Sequence, residues 1–350
     1  MFYDKKSKSS VYFCNRPNCS HGGLDEDCSS FAMEYIGYYD GYLYTLTDDV
    51  NRIIDPQTIA NNYTPQNVVN YYLTRYKEDS TDKEIVAKLF TQYFGENENG
   101  QFVSSTYMNN YLFHRGYFYY ALNSEYKDES ILFIKRWNLK EQKEEVLFSY
   151  KQDSNVRFIN TLKGFGPYIY YINRGPYSDE FQVADAKLCR IHIDTGNIDE
   201  IDIDSTFQDY FIVDGDLYYV SGLGKILYKM NMDTMETKKL IEITDDTYIP
   251  YFGNVNMDQD YIYIDNLSHN LIAKEDYDIE CRVFDKEGAL VDVIDLDGNY
   301  SCKPIGVSGD KLMIAWASKD NRFAYDYYTL DKSRIGTGVH TLEKLIEAAD

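Results

Sequence analysis

The 350-residue chain is poor in tryptophan, proline and histidine, with two, seven and five copies, and its apolar runs are short. A membrane-crossing helix needs about 20 consecutive apolar residues, so no helix of this sequence spans a bilayer. Basic residues are scarce as well: 35 Lys and Arg stand against 57 Asp and Glu, a net charge of −22. That field repels nucleic acid and anionic membrane faces. The opening Met1-Phe2-Tyr3-Asp4-Lys5-Lys6 has no apolar signal-peptide core. An exported form would carry its signal upstream or would have lost it.

Several chemical motifs are missing. His21, His114, His192, His269 and His340 form no H-E-x-x-H pair, which excludes the zincin arrangement. Gly222-Leu223-Gly224-Lys225 lacks the spacing and hydroxyl of a phosphate-binding loop. In Gly306-Val307-Ser308-Gly309 the second glycine comes one place too early for a nucleophile elbow. Asp295-Leu296-Asp297-Gly298-Asn299 offers alternate oxygens, but the glycine is early and Gly306 stands where a calcium loop needs Glu. That segment reads as a turn. Asp202, Asp204, Asp209, Asp214 and Asp216 read as solvated turn and edge residues, which discourage edge pairing.

What is abundant is tyrosine, with 36 copies, in a chain that is 44% hydrophobic and 16% aromatic. This excludes a disordered acidic polymer. The tyrosines recur in a pattern of a turn pair followed by an alternating strand. It is seen in Asp40-Gly41-Tyr42-Leu43-Tyr44, Arg115-Gly116-Tyr117-Phe118-Tyr119, Phe165-Gly166-Pro167-Tyr168-Ile169-Tyr170 and Asp214-Gly215-Asp216-Leu217-Tyr218. Weaker copies are Gln259-Asp260-Tyr261-Ile262-Tyr263 and Ser308-Gly309-Asp310-Lys311-Leu312. From Gly41 through Gly116, Gly166, Gly215 and Asp260 to Gly309 the spacings are 75, 50, 49, 45 and 49 residues. The long first spacing holds residues 48–70, rich in Asn, Pro, Gln and Thr, which read as an inserted loop.

Each anchor is followed by a Tyr-rich strand and then a hairpin. One hairpin turns at Asp194-Thr195-Gly196-Asn197 and another at Asp233-Thr234-Met235-Glu236. Four antiparallel strands in about 45–50 residues match one blade of a β-propeller. The sequence therefore predicts a single all-β domain over residues 1–350, a β-propeller of four-stranded blades. Six repeats plus an N-terminal hairpin, Phe2 to Phe13, give seven blades with an incomplete first one; six blades is the alternative. Stacked blades bury most of the strand tyrosines against each other. Leu342, Leu345, Ile346 and Ala349 follow helical spacing after Thr341, which predicts a C-terminal helix. The N-terminal hairpin would then supply the last outer strand.

One segment falls outside the repeat: Cys14-Asn15-Arg16-Pro17-Asn18-Cys19-Ser20-His21, closing at Cys28. It forms a Cys/His loop over residues 14–30. Cys14, Cys19, His21 and Cys28 offer three thiols and an imidazole, the donor set of tetrahedral zinc. A disulfide is the other reading, and six cysteines permit three bridges. No other cofactor is indicated.

Phe2-Tyr3-Asp4-Lys5-Lys6, the Cys14 to Cys28 segment and the anchors at Gly41, Gly116 and Gly215 resemble tyrosine-rich β-propeller lipoproteins of clostridial gut anaerobes. The resemblance implies an extracytoplasmic, cell-surface location in a Gram-positive organism, with a lipid anchor upstream. It brings no catalytic residues.

These observations lead to the expectation of a non-enzymatic surface module that binds a glycan, peptide or surface protein. Candidate ligand contacts are Tyr63 and Tyr177 in loops, with Tyr38, Tyr39 and Trp316. One alternative is a glycan-acting hydrolase or lyase on the same scaffold, which would need converging carboxylates or a proton-transfer pair. Another is a structural scaffold of a surface complex.

Overall fold

A computed structural model describes residues 2–4, 9–11, 36–48, 67–77, 82–96, 102–104, 106–126, 129–152, 158–174, 186–203, 209–221, 225–244, 255–265, 280–295, 301–308, 310–317 and 325–346. Nearly all of them lie in strands. The chain is a β-propeller protein built of antiparallel blades. Blade one spans residues 36–104 and has five strands, the last being the short Phe102–Ser104. Blades two to six span residues 106–152, 158–201, 209–242, 255–295 and 301–346, with four strands each. In every blade, sequence neighbours are sheet neighbours. Phe2–Asp4 and Ser9–Val11 form a separate two-stranded sheet, the hairpin expected at the N-terminus.

The anchor turns open the second strand of each blade. At Asp40-Gly41, Arg115-Gly116 and Asp214-Gly215 both residues have positive φ, between 49° and 84°. A type I′ turn requires this, and it matches the twist of the strands it joins. The Tyr-rich strands Tyr42–Asp48, Tyr117–Tyr126, Tyr168–Arg174, Asp216–Ser221 and Tyr261–Asp265 follow.

The chain forms two compact units, residues 1–202 and 203–350. In the first, the second strand of blade two packs both ways. Phe118, Tyr120 and Leu122 join Tyr44, Leu46 and Leu73 of blade one. Tyr119 and Ala121 join Ile169, Tyr171 and Ile191 of blade three. Period-two alternation thus sends successive side chains to opposite neighbours. The second unit repeats the design. Ile262 and Ile264 face Tyr218 and Val220 of blade four, while Tyr263 and Val283 join Leu312 and Ile314 of blade six. This is the blade-to-blade packing that the tyrosine repeat predicts.

The expected C-terminal helix is not formed. Leu342–Ile346 pairs as a strand with Tyr325–Asp331. A segment this short nucleates a helix poorly, whereas the open sheet edge supplies partners for its backbone. The last outer strand therefore comes from the chain's own end, not from the N-terminal hairpin. Residues 49–66 of the expected inserted loop lie outside the described residues, and strand Asn67–Lys77 begins within its predicted bounds.

Blades one to three carry a cross-strand row that escaped the sequence reading. Tyr44, Tyr119 and Tyr170 stand opposite Arg75, Arg136 and Arg190, which stand opposite Glu84, Glu145 and Asp199. Each guanidinium lies 4.4–4.6 Å from a second ring, that of Tyr42, Tyr117 or Tyr168. Arg136 is bound most fully. It donates to Glu145 at 2.8 Å and to the Ile193 carbonyl of the next blade at 2.7 Å. Replacing Arg136 by Met leaves both acceptors without their donor. A loss of about 1–3 kcal/mol is expected in urea unfolding, with Arg136→Lys intermediate because it lacks the planar fork.

Blades five and six are tied by Asp292. Its Oδ2 accepts from the Gly336 N–H at 2.7 Å and lies 2.8 Å from Nε2 of His340. Burial alone would raise this carboxyl, but His340 and the Gly336 N–H outweigh burial and hold it below the usual range. A carboxyl depressed on folding stabilises the protein above its unfolded value, about pH 4, and that stabilisation is lost as pH falls through the folded value. Asp292→Asn is therefore expected to lower the urea midpoint near neutrality and to flatten its acid limb.

Candidate functional site

The cross-strand row breaks down in the second unit, and a site takes its place. In blade four Tyr218 stands opposite Lys229, and Lys229 stands opposite Lys238 where blades one to three have an acid. Lys229 turns instead to Asp216 on its own sheet, at 2.7 Å. In blade five the residue opposite Tyr263 is Val283, so the cation is missing at that position. Lys332 of blade six supplies one, 5.6 Å from the centroid of the Tyr261 ring.

The blade-five anchor explains how Lys332 is held. This copy has lost its glycine, and Asp258 builds the turn with its side chain. Its Oδ1 accepts the N–H groups of Asp260 and Tyr261 at 2.7 and 2.8 Å. Its Oδ2 accepts the Tyr263 hydroxyl at 2.8 Å and lies 3.1 Å from Lys332 Nζ. Lys332 also pairs with Asp260. Burial pushes against the Asp258 charge, but these donors win and hold its carboxyl below the ordinary range. Burial and the bond to Asp258 push Tyr263 well up. Lys332 sits on a short 3-10 turn, Lys332–Arg334, capped by Asp331, which accepts from the Ser333 N–H at 2.9 Å.

Between these two groups lies Lys286, in the turn that joins the last two strands of blade five. Asp285 shapes this turn by accepting the N–H groups of Glu287 and Ala289 at 3.0 and 2.8 Å. Gly288 closes it at φ +90°, against the backbone of blade four: a Cβ there would sit 2.3 Å from the Leu240 carbonyl oxygen. The turn thus leans Lys286 over blade four, with Nζ 5.5 Å from the centroid of Tyr218. Its Nζ is buried and has no hydrogen-bond partner among the described residues. Burial lowers the affinity of this amine for its proton, and the nearby Asp258, Asp214 and Asp260 only partly offset that.

Two open grooves flank Lys286. One, of about 630 Å³, is lined by Asp216, Lys229, Thr237, Lys238 and Lys286. The other, of about 530 Å³, is lined by Asp260, Tyr261, Lys286, Glu287 and Lys332. Lysine amines and carboxylates are therefore brought together on both sides of one amine, with Tyr261 on one side.

None of the residues that line these grooves is among the candidate ligand contacts named from the sequence. Tyr38 is 61% exposed on the first strand of blade one. Tyr39 packs into the core between blades one and two, so its part is structural. Trp316 is on strand Lys311–Ala317, and its side chain is outside the described residues, as are Tyr63 and Tyr177. Cys14, Cys19, His21 and Cys28 also fall outside them. Cys281 is a buried free thiol, and Cys189 is buried as well. Among the described residues no group of His, Cys, Asp and Glu is placed to hold a metal ion, and no helix is long and apolar enough to cross a membrane. His114 is structural: its Nε2 lies 3.0 Å from the Gly166 carbonyl and its ring fills the space beside Gly164. His192 uses Nδ1 to accept the N–H groups of Asp194 and Thr195 in the predicted turn.

No family model and no curated protein matches the chain. Solved structures share its fold. A prolyl endopeptidase is 9% identical, with a TM-score of 0.47, over 91% of this chain and 50% of its own. Dipeptidyl peptidase 4 of Porphyromonas gingivalis is 9% identical, with a TM-score of 0.48, over 86% and 44%. The Synechocystis apocarotenoid oxygenase is 12% identical, with a TM-score of 0.46, over 89% and 71%. The chain spans about half the length of the two peptidases. Identity this low speaks to the fold alone. The expectation of a non-enzymatic binding module is corrected: the solved structures that the chain is similar to include hydrolases and oxygenases.

Proposed function

We propose that the chain acts on glycans as an enzyme on a propeller scaffold, with the Lys286 grooves as its reaction site, and that elimination is its chemistry. The observation that carries this reading is the buried, unpartnered amine of Lys286 between two polar grooves. A lyase needs a base to take the proton beside a uronate carboxylate. It also needs cations to steady the charge that develops there. Lys286 supplies the amine. Lys229 and Lys332 supply the cations, since each is held charged by its own carboxylate partners, Asp216 for one and Asp258 with Asp260 for the other. Hydrolysis would instead need a carboxylic acid kept protonated opposite a second carboxylate. Asp258 is held the other way, below the usual range. The extracytoplasmic setting implied by the resemblance to surface lipoproteins suits a polymeric substrate.

The test is a panel of neutral and uronate-containing polysaccharides with product analysis. Unsaturated ends on uronate polymers are expected. Saturated reducing ends would replace elimination with hydrolysis, and binding without any product would reject the enzyme.

A further inference from the structure

The same geometry points to a second reactivity that does not depend on glycan cleavage. We propose that Lys286 is a covalent capture site for small aldehydes, which it binds as an imine. Four lysines line these grooves; Lys238 is exposed, and two are committed, Lys229 to Asp216 at 2.7 Å, and Lys332 to Asp258 at 3.1 Å as well as to Asp260. Lys286 Nζ is buried with no hydrogen-bond partner among the described residues, and the side chain borders both grooves. Gly288 pins the turn beneath it against Leu240.

Capture needs the free amine, because the ammonium has no lone pair. Burial favours the free form, and the tyrosine face of Tyr218 returns less to the ammonium than bulk water would. The nitrogen lone pair attacks the carbonyl carbon, the C–N bond forms and the carbonyl π electrons move to oxygen. Proton transfer gives a carbinolamine. Loss of water then leaves the imine, with no net oxidation or reduction. Asp260, Tyr261, Glu287 and Lys332 line the groove that receives the aldehyde's remaining atoms, so small hydroxylated aldehydes meet hydrogen-bonding groups there.

The test treats the intact chain near pH 7 with glycolaldehyde and cyanoborohydride, which reduces the imine to a stable secondary amine, and maps adducts by peptide mass spectrometry. Lys286 is expected to be modified at least severalfold faster than the exposed Lys140, Lys143 and Lys238, because burial keeps more of its amine unprotonated. That preference should shrink as pH rises toward the ordinary lysine range and the exposed amines also lose their protons. Labelling of Lys286 no faster than of the exposed lysines at neutral pH overturns the proposal. So does a preference that persists unchanged at high pH. Because these readouts are rates on the unmodified sequence, they do not depend on a variant folding. The glycan reading fails separately, by the absence of product from polysaccharides.

Discussion

Lys286→Met is expected to reduce turnover of the responsive polysaccharide by about 100- to 10,000-fold, the usual contribution of a positioned base. The melting temperature should stay level or rise slightly. The lysine amine is buried without a hydrogen bond, so removing it relieves a desolvation cost rather than breaking a contact. Methionine keeps the unbranched stem that lines both grooves. Lys286→Arg separates the roles further, because a guanidinium keeps the charge but cannot serve as base at neutral pH. Loss in both variants with a preserved KM assigns Lys286 to proton transfer. Full activity in Lys286→Arg would mean that only the charge is needed, and the elimination mechanism would fall.

Gly288→Val is expected to have the largest effect on stability, about 3 kcal/mol or more in denaturant unfolding. Two costs add at this position. A β-branched residue is strained at φ +90°. Its Cβ would also meet the Leu240 carbonyl oxygen at 2.3 Å, and a backbone atom of a neighbouring blade cannot step aside as a flexible side chain can. Whatever fraction folds should have the turn lifted off blade four and Lys286 withdrawn from Tyr218. Activity per folded molecule should then fall with stability, unlike in Lys286→Met. Gly196→Ala is the control: its φ is also positive, but a Cβ there meets nothing within 4 Å.

The candidate site forms where the repeat departs from its own rule. Blades one to three close each tyrosine–arginine pair with an acid on the outer strand. Blade four puts Lys238 in the acid's place, and blade five puts Val283 in the cation's place. The degraded anchor at Asp260 was legible in the sequence only as a weak copy. Its value lies in Asp258, two residues earlier, whose carboxylate both builds the turn and reaches Lys332 across to the next blade. Nothing in a linear pattern distinguishes that aspartate from the many acids of this chain.

The sequence by itself determined the strands, the anchor turns and the fold. Alternation and type I′ turn chemistry are local, and they recur at nearly constant spacing. It also determined the destiny of the tyrosines, because a blade with two apolar faces must bury both. Tertiary structure alone decided two things. The C-terminal residues became a strand because an open sheet edge was waiting for them. Lys286, Lys332 and Tyr218, from blades five, six and four, became neighbours because stacking brings the turns of successive blades to one edge. The few tryptophans, histidines and basic residues of the chain excluded much, but its candidate chemistry rests on a single lysine whose significance is its lack of a partner. That is a property of its surroundings, which no reading along the chain contains.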